Sequence, residues 1–139
     1  MTAYPACIYH DDEGYTIIFP DLNALATDGR TFSEAMDHAV DCLAGYVYIA
    51  QQRRETLPKP SDLSSVDPQK VAEELFPGEP SCECFVSMIS VDVPSYARSH
   101  FEKSVKKTLT IPAWLNKPAE EKHLNFSQVL QEALKEKLL

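Results

Sequence analysis

Ser104-Val105-Lys106-Lys107-Thr108-Leu109-Thr110-Ile111-Pro112-Ala113-Trp114-Leu115 alternates apolar residues with basic or hydroxyl ones and then stops at a proline. In an extended strand successive side chains face opposite ways. Val105, Lys107, Leu109 and Ile111 therefore share one mostly apolar face, and Lys106, Thr108 and Thr110 line the other with hydrogen-bonding groups. Pro112 ends the strand and suits the first position of a helix, where no backbone donor is needed. That helix is expected over residues 113–122. A second follows from Asn125, a good N-cap, with Val129, Leu130, Ala133, Leu134 and Leu138 as its apolar stripe. The last 36 residues thus read strand–helix–helix.

A unit below about 40 residues buries too little surface to fold alone, and its single strand has unpaired edges. Two copies pairing strand to strand would answer both needs. Pro118 falls inside the first tail helix, where it deletes a donor and crowds the preceding turn, so a kink or a late start is expected there. His123 occupies a position that a helix-ending glycine would favour.

Charge divides the chain at the same place. Residues 1–103 hold 7 Lys/Arg against 17 Asp/Glu, a net of −10, whereas residues 104–139 hold 6 against 4, a net of +2. An acidic body with a mildly basic tail points to one basic partner and one negatively charged partner. The 139 residues, 44% hydrophobic and 24% charged, suit a soluble globular chain of one domain plus a small appendage. No apolar run approaches a membrane span, and Met1-Thr2-Ala3-Tyr4-Pro5 lacks the features of a secretion signal. A cytoplasmic location is expected. The four cysteines agree with it, and Cys82-x-Cys84 without a second Cys/His pair reads as two free thiols rather than a metal site.

The body reads as α+β. Residues 3–9 form a strand, Asp11-Asp12-Glu13-Gly14 a turn, and residues 15–19 a second strand closed by Pro20, together a hairpin. A short third strand is expected over residues 23–27. Thr31 with Glu34 forms a capping box opening a long helix to about Arg54, whose buried stripe is Phe32, Met36, Ala39, Leu43, Tyr46, Val47 and Ala50. Two prolines in Leu57-Pro58-Lys59-Pro60-Ser61 end it. Asp67-Pro68 caps a brief helix through Leu75, within a segment, residues 57–84, that otherwise reads as a loose excursion. Residues 85–93 form a strand apolar on both faces in its first half, hence central or partly buried. Residues 94–103 read as a polar linker. The organisation expected is 1–98 for the body, 99–103 for the linker and 104–139 for the tail.

The order KKTLTIPAWL…NFSQVLQEAL resembles the ribbon–helix–helix DNA-binding domain. That resemblance implies a two-stranded antiparallel ribbon entering the major groove, with Lys106, Thr108 and Thr110 reading base edges and the turn at Asn125 and Ser127 holding phosphate. Elementary physics agrees, since helix N-termini attract anions and Lys and Thr donate to base or phosphate acceptors.

The body resembles the HicB antitoxins. Tyr4-Pro5-Ala6, Gly14-Tyr15…Phe19-Pro20-Asp21-Leu22 and Leu57-Pro58-Lys59-Pro60-Ser61 carry the likeness, and residues 85–93 followed by KKTLTIP resemble the longer type that ends in a ribbon–helix–helix domain. The resemblance implies a partial RNase H-like domain without nuclease activity or cofactor, which masks HicA, a small basic mRNA-cleaving toxin. It also implies repression of the operon through the tail as a homodimer on operator DNA, with assembly into tetramers left open. Asp11, Asp12, Glu13 and Asp21 at the hairpin ends are the expected toxin-facing residues.

Two other readings stay open. One is a stand-alone ribbon–helix–helix repressor. The other is a working RNase H-like nuclease, which needs carboxylates converging on two metal ions; Asp92 is the only carboxylate expected on a strand, with no companion, and no acidic residue is expected mid-strand in the hairpin. His10, His38, His100 and His123 are scattered, with no Ser or Cys at catalytic spacing.

Overall fold

The computed structural model describes residues 1–139, which divide into two compact units, residues 1–102 and 103–139. In unit 1, β1 (Thr2–Asp11), β2 (Gly14–Phe19), β3 (Leu25–Gly29) and β4 (Glu83–Val91) form one antiparallel sheet in the order β3-β2-β1-β4. Helix α1 (Phe32–Gln52) covers one face. On that face Tyr4, Ala6 and Ile8 of β1, Ile17 and Phe19 of β2, and Ile89 and Val91 of β4 meet Ala35, Ala39, Leu43, Ala44 and Val47 of α1.

β1, not β4, is the central strand. β4 pairs only with β1, in a ladder from Thr2↔Val91 to His10↔Glu83, and is an edge. The run from Tyr4 to Tyr9 is buried throughout, as a strand covered on both faces must be. Pro5 is tolerated there because the β1–β2 ladder begins at Cys7, so its missing N–H interrupts no bond to β2. Residues apolar on both faces of β4 include Phe85 and Met88, both largely exposed.

The capping of α1 is shifted by one residue from expectation. Thr31 Oγ1 accepts from Glu34 N–H at 3.1 Å, but Glu34 Oε2 accepts from Arg30 N–H at 2.9 Å rather than from Thr31. Phe32 remains largely exposed, and Met36 and Tyr46 are half-buried, while Ala35 and Ala44 replace them in the buried stripe. Small residues win because α1 runs close over β3. A Cβ on Gly29 would run into the backbone of Ala35. Gly14 is equally constrained: its φ is +137° and a Cβ would strike the Gly29 carbonyl. β3 begins two residues later than expected, because Asn23 and Ala24 adopt left-handed φ near +56° in the preceding turn.

Residues 57–84 are not a loose excursion. They cross the outer face of the sheet as a strap that includes a 3₁₀ turn (Leu63–Ser65) and helix α2 (Pro68–Leu75), capped by the Asp67 carboxylate on Gln69 and Lys70 N–H. Val66, Val71 and Ala72 pack on Cys7, Tyr9 and Ile18. Polar bonds fasten it: Tyr4 OH donates to the Pro58 carbonyl at 2.5 Å, Tyr9 OH to the Pro68 carbonyl at 2.7 Å, and Asp21 accepts from Ser61 N–H at 2.8 Å and Ser61 Oγ–H at 2.7 Å.

The stretch read as a linker from Pro94 is largely helix α3 (Val93–His100), N-capped by Asp92. Phe101 packs on the α1 core, and Tyr48 OH donates to Glu102 at 3.4 Å, so residues 99–102 belong to unit 1. The apolar stripe Val93, Ala97 and Phe101 was the signal for this.

In unit 2, helices α4 (Ala113–Glu121) and α5 (Phe126–Leu138) form as expected, with Asn125 Oδ1 accepting from Gln128 N–H at 3.1 Å. Pro118 lies inside α4, which nevertheless runs unbroken from Ala113. His123 takes the left-handed conformation, φ +53°. Its N–H bonds to the Glu120 carbonyl and that of Leu124 to the Ala119 carbonyl, the paired closure of a Schellman motif. The strand expected over residues 104–111 does not form; they take no regular secondary structure.

Two substitutions test these fastenings. Asp21→Ala should cost about 1.5–3 kcal/mol in urea unfolding, since a charged acceptor of two bonds is lost and Ser61 is half-buried. His123→Gly should gain about 1 kcal/mol by relieving the left-handed strain, seen as slower amide exchange across α4 and α5.

Candidate functional site

The acidic end of the hairpin is built by a tight turn. Asp11 Oδ1 accepts from Glu13 N–H at 2.8 Å and from Gly14 N–H at 3.2 Å, which leaves Asp12 and Glu13 projecting into solvent. Asp21 lies at the opposite end of β2, bonded to Ser61. The four expected toxin-facing carboxylates therefore form one group of three and a separate one. Beside the turn, His10 stacks on Tyr15 with ring centroids 4.2 Å apart, and its Nδ1 lies 3.2 Å from Glu83.

Sequence reasoning did not find what lies next to Asp11. On the outer face of the sheet a groove of about 670 Å³ opens between α2, the loop after it, and the ends of β1 and β4. Tyr9, Ala72, Phe76 and Cys84 contribute to its lining, and Asp11, Glu73 and Glu79 are its charged residues. The one available signal was the α2 pattern, with Val71 and Ala72 on one side and Glu73 and Glu74 on the other. A smaller depression of about 300 Å³ shares Asp11 and Thr16 and brings in Glu13, Asp28, Glu34 and Arg30.

Asp92 is a helix cap, accepting from Ser95 N–H at 3.2 Å, and not a strand carboxylate. Asp28 and Glu83 instead lie on strands, both at sheet edges. No three His, Cys, Asp or Glu residues are placed to share a metal ion. All four cysteines are free: Cys7 buried, Cys42 and Cys84 half-buried, Cys82 exposed. No helix is long and apolar enough to cross a membrane.

In unit 2, Lys106, Thr108 and Thr110 are exposed, and so are their alternating neighbours Val105, Leu109 and Ile111. At the start of α5 the cap takes Gln128 N–H and the Asn125 carbonyl takes Val129 N–H. Phe126 and Ser127 N–H have no intrahelical acceptor, as at any helix start, and the Ser127 hydroxyl accepts from Gln131 Nε2 at 3.3 Å.

Residues 3–69 match the sequence model of a HicB-like antitoxin of bacterial toxin–antitoxin systems. A chain of a toxin–antitoxin complex from Streptococcus pneumoniae is 35% identical, covers 98% of both chains and superposes with a TM-score of 0.65. Antitoxin HicB 2 of Photorhabdus laumondii is 37% identical over 59 residues, 42% of each protein. A 14.9 kDa protein of the rep–hol intergenic region of Haemophilus phage HP1 is 27% identical over 113 residues, 81% of this chain and 74% of that one. The Burkholderia pseudomallei antitoxin HicB, 20% identical over the whole of both chains with a TM-score of 0.50, shares the fold. This chain belongs to the HicB-like antitoxin family.

Burial pushes the Tyr9 hydroxyl and the Cys7 thiol above their ordinary values of 10.0 and 9.0. Both folded values are raised, so the fold favours the neutral forms; stability is full below the unfolded values and falls as pH rises through them. Urea unfolding should give a constant free energy from pH 7 to about 8.5 and a lower one near pH 10.5. Tyr9→Phe should reduce that alkaline loss.

Proposed function

We propose that this protein neutralises an mRNA-cleaving toxin of the HicA type through unit 1 and represses its own operon through unit 2. Unit 1 is read as a partial RNase H-like domain serving as a non-catalytic binding module in the cytoplasm. Its net charge of −10 over residues 1–103 suits a basic, RNA-binding partner, for which it competes with phosphate. Asp11, Asp12 and Glu13 are the carboxylates free to face that partner. Asp21, at the other end of β2, is a separate contact candidate with the lone pairs that Ser61 leaves.

The observation that carries the reading of unit 2 is that none of its residues is buried. Val105 is 77% exposed, Trp114 72% and Leu138 68%, and eight other large apolar residues of the unit are exposed with them. Such a surface calls for a covering partner. A second copy meets the need: residues 104–111 of two chains pair as an antiparallel ribbon, Val105, Leu109 and Ile111 turn inward over the four helices, and Lys106, Thr108 and Thr110 face outward to DNA. The α5 N-terminus at Asn125 and Ser127 then meets phosphate.

The test replaces Lys106 and Thr108 by alanine. Binding to the promoter DNA upstream of its own gene should weaken by at least about 100-fold, because each good base contact is worth about 1–3 kcal/mol and each dimer carries two ribbon strands. The dependence of binding on salt should flatten, since one cation per strand is lost from the DNA-facing side of the ribbon. Toxin neutralisation should be unchanged. Unaltered DNA affinity and salt dependence in the double variant would show that the ribbon has been assigned to the wrong residues.

A further inference from the structure

The groove under α2 has a definite chemical character. Its lining includes two aromatic rings, Tyr9 and Phe76, with Ala72 and Cys84. Phe76 is 42% exposed although it ends a helix beside the core. Its charged lining residues are Asp11, Glu73 and Glu79, and no Lys or Arg lines the groove.

Its walls are held in place. Tyr9 is buried and bonded through its hydroxyl to Pro68. The far wall is a loop shaped by Pro77, Pro80 and Gly78 at φ +82°, with Glu79 N–H bonded to the Phe76 carbonyl at 3.3 Å. A site preformed in this way spares a ligand the cost of ordering it.

We propose that this groove is the docking site for a basic segment of the toxin, which lays the aliphatic stem of a lysine or arginine across Phe76 and Tyr9 and places the cationic head among Asp11, Glu73 and Glu79. The inference deepens the antitoxin reading of unit 1 and rests on it. Long cationic side chains cover apolar surface with their stems while the head stays polar, and a cation over an aromatic face gains further attraction. The groove supplies both, with charge of one sign only. Asp11 and Thr16 also line the neighbouring depression with Glu13, Asp28, Glu34 and one cation, Arg30, so carboxylates outnumber cations around the hairpin end and favour a basic partner. This places the contact on the strap side of the sheet, away from α1.

The experiment uses the full-length chain and the protein encoded by the reading frame beside its gene, with association measured by calorimetry. Glu73→Lys/Glu79→Lys should weaken binding on the order of 30-fold, with unchanged melting because both residues are exposed. Asp37→Lys/Glu55→Lys, an equal charge change at exposed residues outside the groove, should weaken it less than about threefold. A photocrosslinker attached to Cys82, the exposed thiol in the groove lining, should capture the toxin at a Lys- or Arg-bearing peptide. Equal losses from both double variants, no loss from the groove variant, or capture of a second copy of this chain would overturn the docking site while leaving the antitoxin reading intact. Failure of the wild-type chain to bind that protein at all would remove the antitoxin reading and this site together.

Discussion

Keeping β1 covered on both faces is the constraint on which the rest of unit 1 depends. Six consecutive residues, Tyr4 to Tyr9, are shut away from water. Fully burying a large apolar side chain contributes roughly 1.5–3 kcal/mol, so exposing either face would forfeit a large part of the marginal stability of a domain this size. Helix α1 covers Tyr4, Ala6 and Ile8. A second cover is needed for Cys7 and Tyr9, and the strap provides it with only a few apolar contacts from Val66, Val71 and Ala72.

So thin a cover needs fastening, and the buried strand helps to supply it. Tyr4 and Tyr9 belong to the core by their rings, yet their hydroxyls donate to the Pro58 and Pro68 carbonyls of the strap. Ser61, between them, is held by Asp21 at the end of β2. The same bonds that close the core fix where α2 lies, and α2 with its following loop forms one wall of the acidic groove. Core closure and the shape of the groove in unit 1 are thereby consequences of one arrangement.

The two units solve the problem of apolar surface differently. Unit 1 closes its core within one chain, whereas unit 2 has nothing buried and leaves its apolar side chains in solvent. A unit of 37 residues lacks the volume to enclose a core; paired with a second copy as proposed, its folding free energy would depend on concentration.

Much of the fold was legible in residues 1–139 taken as a string, and for local reasons. The Asp11–Gly14 turn, the Thr31, Asp67 and Asn125 caps and the left-handed turn at His123 are each set within four residues of chain, as were the periods of α1 and α5. The acidic hairpin end and the divide in charge were legible in the same way. What the string could not settle was which surfaces meet. The Pro-rich segment 57–84 looked loose because its partners, Tyr4, Tyr9 and Asp21, lie 40 to 59 residues away. β4 looked central or partly buried, and it is the latter, because apolar residues on both faces fit a buried strand and a half-covered edge alike. The groove beside α2 left no trace in the string beyond the two-sided pattern of α2 itself, since Tyr9, Phe76 and Glu79 are brought together only when the strap is pinned across the sheet. Hydrogen-bonded turns and periodic faces are encoded by neighbours in sequence; strand order, covering and cavities are decided by contacts that exist only after the chain has closed on itself.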